Sequence, residues 1–250
     1  MSRVRWARAA VVCAAVLRAA GPPVARAEVD PGLRPGAWAL RLETATTAIV
    51  PVLGATRGGS ISVSAVTVDA GPDGSLRFTH RPCTVEMVGA GGRARMSVSP
   101  SFVAAIPAKT TAARLTAEGW RIDLGLDVVG YDPAVAAAPP RAPDHPAIRD
   151  FDGDGHPGAT VRLDVPVLGA VELYVAQAAH VVLERGRPAA GGLRGQVRTL
   201  RFEQSTLGAS HKLFAANPEI RPDPARSSFL LAPAAGPGCP AALAALAAPR

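Results

Sequence analysis

Trp120-Arg121-Ile122-Asp123-Leu124-Gly125-Leu126-Asp127-Val128-Val129 is the stretch that decides the fold class. Apolar side chains at 120, 122, 124, 126 and 128 interleave with polar or small ones, and a period of two puts them on one face of a strand. The same period fits residues 38–46, 61–69, 76–80, 83–88 and 95–98, and later 159–165, 171–177, 180–184, 196–204 and 228–231. Turn-forming groups separate these segments. Gly71-Pro72-Asp73-Gly74 reads as a hairpin connection, and Gly91-Gly92 and Gly191-Gly192 as further turns. The 24 prolines work against long helices. The chain therefore reads as all-β, either an antiparallel β-barrel or a two-sheet sandwich, since both architectures protect strand edges.

At the amino terminus, Arg3, Arg5 and Arg8 precede an apolar run at 9–17, and Ala25-Arg26-Ala27 supplies the small residues a signal peptidase reads. Residues 1–27 are expected to be a signal peptide and 28–250 a single β-rich domain. The apolar run is too short to span a membrane, so no transmembrane segment is expected after its removal. Five of the 27 basic residues and none of the 20 acidic ones lie in this segment, so its loss lowers the formal net charge from +7 to +2. The remaining arginines are scattered, which argues against a nucleic-acid partner. An exported chain, periplasmic or secreted, can keep a disulfide. Cys13 leaves with the signal, so Cys83 and Cys239 are the expected pair, closing a loop worth roughly 4–5 kcal/mol by chain entropy.

Val50-Pro51-Val52-Leu53-Gly54-Ala55 recurs identically as Val165-Pro166-Val167-Leu168-Gly169-Ala170. Such self-similarity suggests two related halves, 36–118 and 119–232. A proline-rich crossover at 131–149, with Pro133, Pro139, Pro140, Pro143 and Pro146, would join them as an extended, exposed connection. The second-position proline excludes a central strand and predicts an edge or bulge at each copy. Gly36-Ala37-Trp38 at the head of the first strand resembles the Gly-x-Trp signature of lipocalin-type barrels, in which the tryptophan plugs one end. The resemblance covers three residues. It favours a barrel over a sandwich and implies no ligand residues here.

Asp150-Phe151-Asp152-Gly153-Asp154-Gly155-His156-Pro157-Gly158 carries the clearest chemistry. Carboxylates at positions 1, 3 and 5 of a tight loop converge on one hard cation, and glycine at position 6 permits the turn that brings position 7 round. The run resembles the first half of an EF-hand loop and the calcium loops of dockerins, thrombospondin-type repeats and integrin-type propellers. That resemblance implies Ca2+ held by Asp150, Asp152 and Asp154, with the backbone carbonyl of His156 at position 7. Position 12, a bidentate glutamate in an EF-hand, is Val161. Prolines precede the loop and a strand pattern follows it, so the two EF-hand helices are missing. The remaining oxygens would come from Asp144, Asp164, Asp132 or water. The competing structural reading is an Asp/Gly turn whose side chains cap backbone amides.

No Gly-x-Ser-x-Gly elbow, His-Glu-x-x-His helix, Cys-x-x-Cys pair or phosphate-binding glycine loop is present. The five histidines, His80, His145, His156, His180 and His211, read as surface or turn residues. Glu43, Glu86, Glu172 and Glu203 alternate with apolar positions and read as solvent-facing. The expected function is thus an exported, non-enzymatic binding or interaction domain with a structural calcium loop and an unidentified ligand or protein partner. Two alternatives are an extracellular or envelope hydrolase with a calcium-ordered loop and a lipocalin-like carrier of a small lipophile. A packed interior, converging acids or an apolar cavity would separate the three.

Overall fold

The computed structural model describes residues 32–50, 54–71, 75–89, 95–165 and 169–247. The expected signal at 1–27, the Gly91-Gly92 turn and the centres of both hexapeptide copies lie outside the described residues. Eleven strands form one sheet: β1 Gly36–Val50, β2 Gly54–Ala70, β3 Leu76–Val88, β4 Arg95–Val98, β5 Lys109–Thr116 and β6 Gly119–Val129, then β7 Ala159–Val165, β8 Gly169–Ala189, β9 Gly192–Ala209, β10 Glu219–Pro222 and β11 Ser228–Pro233. Two helices accompany them, α1 Pro100–Ala105 and α2 Cys239–Ala247. The class is all-β, and every strand pairing is antiparallel.

Hydrogen bonding closes eight strands into a ring, in the order β1-β2-β3-β5-β6-β8-β9-β11 and back to β1. The ring is not a regular barrel, because three strands share one edge between two partners placed end to end. β1 pairs with β11 through Trp38–Glu43 and with β10 through Thr46–Ile49. β3 pairs with β5 through Leu76–His80 and with β4 at Met87. β8 pairs with β7 through Gly169–Val175 and with β6 from Gln177 onward. A first storey of eight strands is therefore closed, and a second storey above it is walled by β4, β7 and β10 in place of β5, β6 and β11. β4 pairs with β7, whereas β9 and β10 lie side by side without a ladder.

Two segments expected as separate strands at 76–80 and 83–88 are one strand. The register shifts at Cys83, so Pro82 sits beside a bulge where its missing N–H breaks no ladder bond. Both hexapeptides end at the same place in a hairpin: Val50 faces Gly54 and Val165 faces Gly169. Gly54 and Gly169 have φ of 71° and 77°, a left-handed conformation that explains why each copy carries glycine there. Strands of the two proposed halves interleave, since β1 pairs with β10 and β11 and β4 pairs with β7.

The first storey is filled by the inward faces of the alternating strands. Trp38, Leu40, Val68, Phe78, Trp120, Ile122, Leu183, Leu193 and Leu231 form one buried cluster. Each large side chain of this kind contributes roughly 1.5–3 kcal/mol on burial. Trp38 and Trp120, each following a strand-opening glycine, join this cluster at one end of the ring. Above it the inward positions turn polar: Thr44 and Thr46 on β1 face Ser60 and Gly58 on β2, and the hydroxyls of Thr44 and Ser60 are hydrogen-bonded at 2.8 Å.

α2 lies against the outside of β1, β2, β3 and β11, over the small side chains Ala39 and Ala232, which are buried although they point away from the core. A disulfide joins Cys239, the first residue of α2, to Cys83 in the β3 bulge, 156 residues away in sequence. His80 departs from its expected surface position. It is 6% exposed and faces the interior beside Phe78, and burial holds its imidazole below the ordinary value.

Replacing Cys83 and Cys239 by serine together should lower unfolding stability by several kcal/mol, on the order of 2–5, measured by denaturant titration. His80 gives a pH signature. Its folded pKa is depressed, so its contribution is whole above pH 6.5 and declines as pH falls, because the unfolded chain takes up a proton that the fold resists. Stability measured from pH 7 to 5 should fall with a slope no steeper than about 1.4 kcal/mol per unit. His80→Leu should flatten that slope.

Candidate metal centre

The aspartate loop stands where β6 hands over to β7 along β8. Gly130 after β6 and Gly158 before β7 both press against the carbonyl of Val175. A Cβ on Gly130 would come within 2.6 Å of that oxygen and one on Gly158 within 2.4 Å, so only glycine fits at either place. From Gly130 the chain runs out and back as two nested loops. The outer neck is closed by Asp132 N–H to Ala147 O at 2.8 Å and Arg149 N–H to Gly130 O at 3.1 Å. The inner neck is closed by Phe151 N–H to Gly158 O at 2.7 Å and Gly158 N–H to Arg149 O at 3.0 Å.

The crossover is not the extended connection its prolines suggested. It folds back over the outer face of β8 and β9, where Tyr131 packs with Ala176, Ala178 and Leu207. Arg201 donates to Ala137 O and Ser205 to Pro139 O, pinning its far end. The outer faces of β8 and β9 offer alanine and leucine, so burial outweighs the extended bias of proline.

Within the inner loop Asp150, Asp152 and Asp154 each offer an oxygen, and the three lie within 4.8 Å of one another. Asp150 organises the backbone: Oδ1 accepts the N–H groups of Gly153 (2.8 Å) and Asp154 (3.2 Å), and Oδ2 that of Gly155 (2.9 Å). These bonds, the one from Gly155 foremost, hold its carboxyl below the usual range. Asp154 accepts the N–H of His156 at 2.9 Å. Asp152 is different, being only 7% exposed. Its Oδ2 receives Thr160 N–H at 3.3 Å and Ser99 Oγ at 3.5 Å, but Oδ1 is buried without a hydrogen-bond partner. Burial raises its pKa, and the charges of Asp154 and Asp150 push the same way.

Neighbouring elements hold the loop. Ser99 caps α1 by accepting Phe102 N–H at 3.0 Å, Pro100 occupies the first helical turn, and Phe102 meets Phe151 edge-on at 5.4 Å. On the other side the His156 ring stacks on Tyr174 at 4.3 Å, and the Tyr174 hydroxyl donates to Glu172 at 3.3 Å. Asp164 lies on β7 paired with Arg162 at 3.2 Å, Asp132 with Arg149 at 3.3 Å, and Asp144 is exposed in the crossover. Ser99, Phe102, Thr160 and Tyr174 were not singled out from the sequence. The Ser-Pro pair at 99–100 is a helix-start signal that could have found α1.

Among the other acids, Glu203 is held by Arg201 and Glu43 by Arg41. His180 meets Asp123 at 2.7 Å on the outer wall. Burial works to raise the Asp123 pKa, but the bonds from His180 and the Gly125 amide outweigh it and leave it lowered.

No protein-family profile, curated protein or solved structure matches this chain.

Asp150→Ala should release three backbone amides together. Hydrogen exchange at Gly153, Asp154 and Gly155 is expected to quicken by tenfold or more, whereas Asp154→Ala should quicken His156 alone. Equal effects from both variants would contradict this division of labour.

Proposed function

We propose that residues 150–158 bind one calcium ion as a structural staple in an exported domain that works by binding a ligand or protein partner. The observation that carries the ion is Asp152 Oδ1, buried without a partner between two further carboxylates. An unpaired buried carboxylate is costly, and a hard divalent cation compensates all three charges at once. Asp150 and Asp154 would complete the acidic face, with the His156 carbonyl at position 7. Thr160, whose N–H meets Asp152 and whose hydroxyl is also buried without a partner, would add a neutral oxygen, and water would supply the remainder, since Asp164 is paired with Arg162 further along β7. So irregular a set of oxygens suits calcium better than magnesium, which demands a near-ideal octahedron. Without the bidentate glutamate the affinity belongs with extracellular modules, at a Kd of roughly 0.1–1 mM.

The Cys83–Cys239 bond supports an oxidising compartment, and among the described residues no helix is long and apolar enough to cross a membrane. The interaction reading is supported over the lipophile carrier by the first storey, where Trp38, Phe78, Trp120 and aliphatic neighbours occupy the space a carried lipid would need. It is supported over the hydrolase by the pairing of Glu43 and Glu203 with arginines.

Thermal unfolding in 10 mM calcium against EGTA should separate the midpoints by roughly 3–10 °C, the shift expected for that range of Kd. Asp152→Asn should erase the response. Because it removes an uncompensated charge, this variant should be at least as stable as the native protein in EGTA and less stable in calcium. An unchanged native midpoint across millimolar calcium would sink the proposal.

A further inference from the structure

The second storey is not closed between β9 and β10. β9 hydrogen-bonds to β11 only as far as Gln196, and beyond that point its edge turns towards β10, which pairs with β1 alone. Val197 N–H still reaches Ser227 O at 3.3 Å, and the next fixed point is Thr206, whose N–H is received by the side chain of Asn217. N–H and C=O directions alternate along a strand, and the β8–β9 register runs without a shift from Arg201 to Thr206. Phe202 and Gln204 therefore present their N–H and C=O in the same direction as Thr206, into the gap. Among the described residues no ladder joins them to β10.

A cavity of about 390 Å3 occupies this gap, lined by Phe202, Gln204 and Ile220 on the wall and by Pro139 and Arg141 of the crossover. That volume is at the small end of ligand sites. Of its two charged lining residues, Glu203 is already paired with Arg201, while Arg141 is exposed and has no ion pair among the described residues. The site thus combines a strand edge without a ladder partner, apolar lining from Phe202 and Ile220, and one cation without an ion pair among the described residues.

We propose that this gap binds a short extended segment of a partner protein, adding a strand to the free edge of β9. A backbone that alternates donors and acceptors is complementary to Phe202 and Gln204, an apolar side chain fits against Ile220, and an acidic side chain meets Arg141. β10, held by β1 alone, is the wall that gives way. The site is separate from the aspartate loop and does not depend on calcium.

Hydrogen exchange on the free full-length domain tests the edge first. The amides of Phe202 and Gln204 should exchange about a hundredfold faster than those of Arg201 and Glu203, which point at β8. Comparable slow exchange at all four overturns the proposal. A blocked hexapeptide of alternating valine and threonine ending in aspartate, at millimolar concentration, should then slow Phe202 and Gln204 by roughly tenfold. Methylating alternate peptide nitrogens should remove the protection, and Arg141→Glu should weaken binding by about fivefold or more. Absence of protection, or equal protection by the methylated peptide, refutes strand addition. Protection that rises with protein concentration alone would assign the edge to a second copy of this chain and refute the partner-peptide proposal.

Discussion

Backbone hydrogen bonding is the constraint from which the rest of this structure follows. Every N–H and C=O that leaves a strand must find a partner or water, and three strands here are long enough to need two neighbours on one edge. Each change of neighbour leaves a joint, and the chain spends its irregular segments on those joints. On β1 the joint falls at Ala45, whose N–H is taken by the Ser227 hydroxyl and whose carbonyl receives Asp223 N–H. On β8 it falls beside Val175, where Gly130 and Gly158 let two chain segments reach the strand together. α1 and the aspartate loop stand at that place, tied through Ser99 and through the contact of Phe102 with Phe151.

The loop at the β8 joint is held by two carboxylates whose ionisation is pulled in opposite directions. Asp150 is stabilised as an anion by three amides, and it fixes the path of the loop. Asp152 is turned inward, away from water and towards like charges, so its anion is disfavoured. Asp152 Oδ2 still accepts Thr160 N–H, but its Oδ1 caps no amide. The two carboxylates thus stand in opposite electrostatic environments within three residues.

Much of the strand pattern was legible because alternation is a local property: β4 and β7 begin and end where the period of two does, and β6 extends its run by one residue. Fusion of two segments into β3, and of two more into β8, was not legible: in β3 the break is a bulge at Cys83, in β8 the small or polar residues Gln177, Ala178 and Ala179 interrupt the apolar pattern, and only the partner strands show that pairing continues. β5 escaped notice because its inward residues are Lys109, Thr111 and Ala113, which carry little hydrophobic signal. α2 was legible in principle, since its Ala and Leu residues favour a helix and Pro240 suits the first turn, but alanine is so common throughout this chain that the segment did not stand out. The three aspartates were visible as a motif. The orphaned oxygen of Asp152 depends on Ser99 and Thr160, which are far apart in sequence, and so it could be found only in the fold.

The disulfide also bears on the order in which the molecule is completed. Cys239 follows β11, the strand that closes the ring against β1. β1, the earliest strand of the ring, therefore waits for β11, its latest, leaving Trp38, Leu40 and their neighbours without their final partners until about 190 further residues have emerged. Pairing across such sequence separations is slow and leaves strand edges open to association in the interval. Once Cys83 is bonded to α2, a segment made after the whole ring is fastened over the seam where β1 meets β11, and the ring is locked from outside.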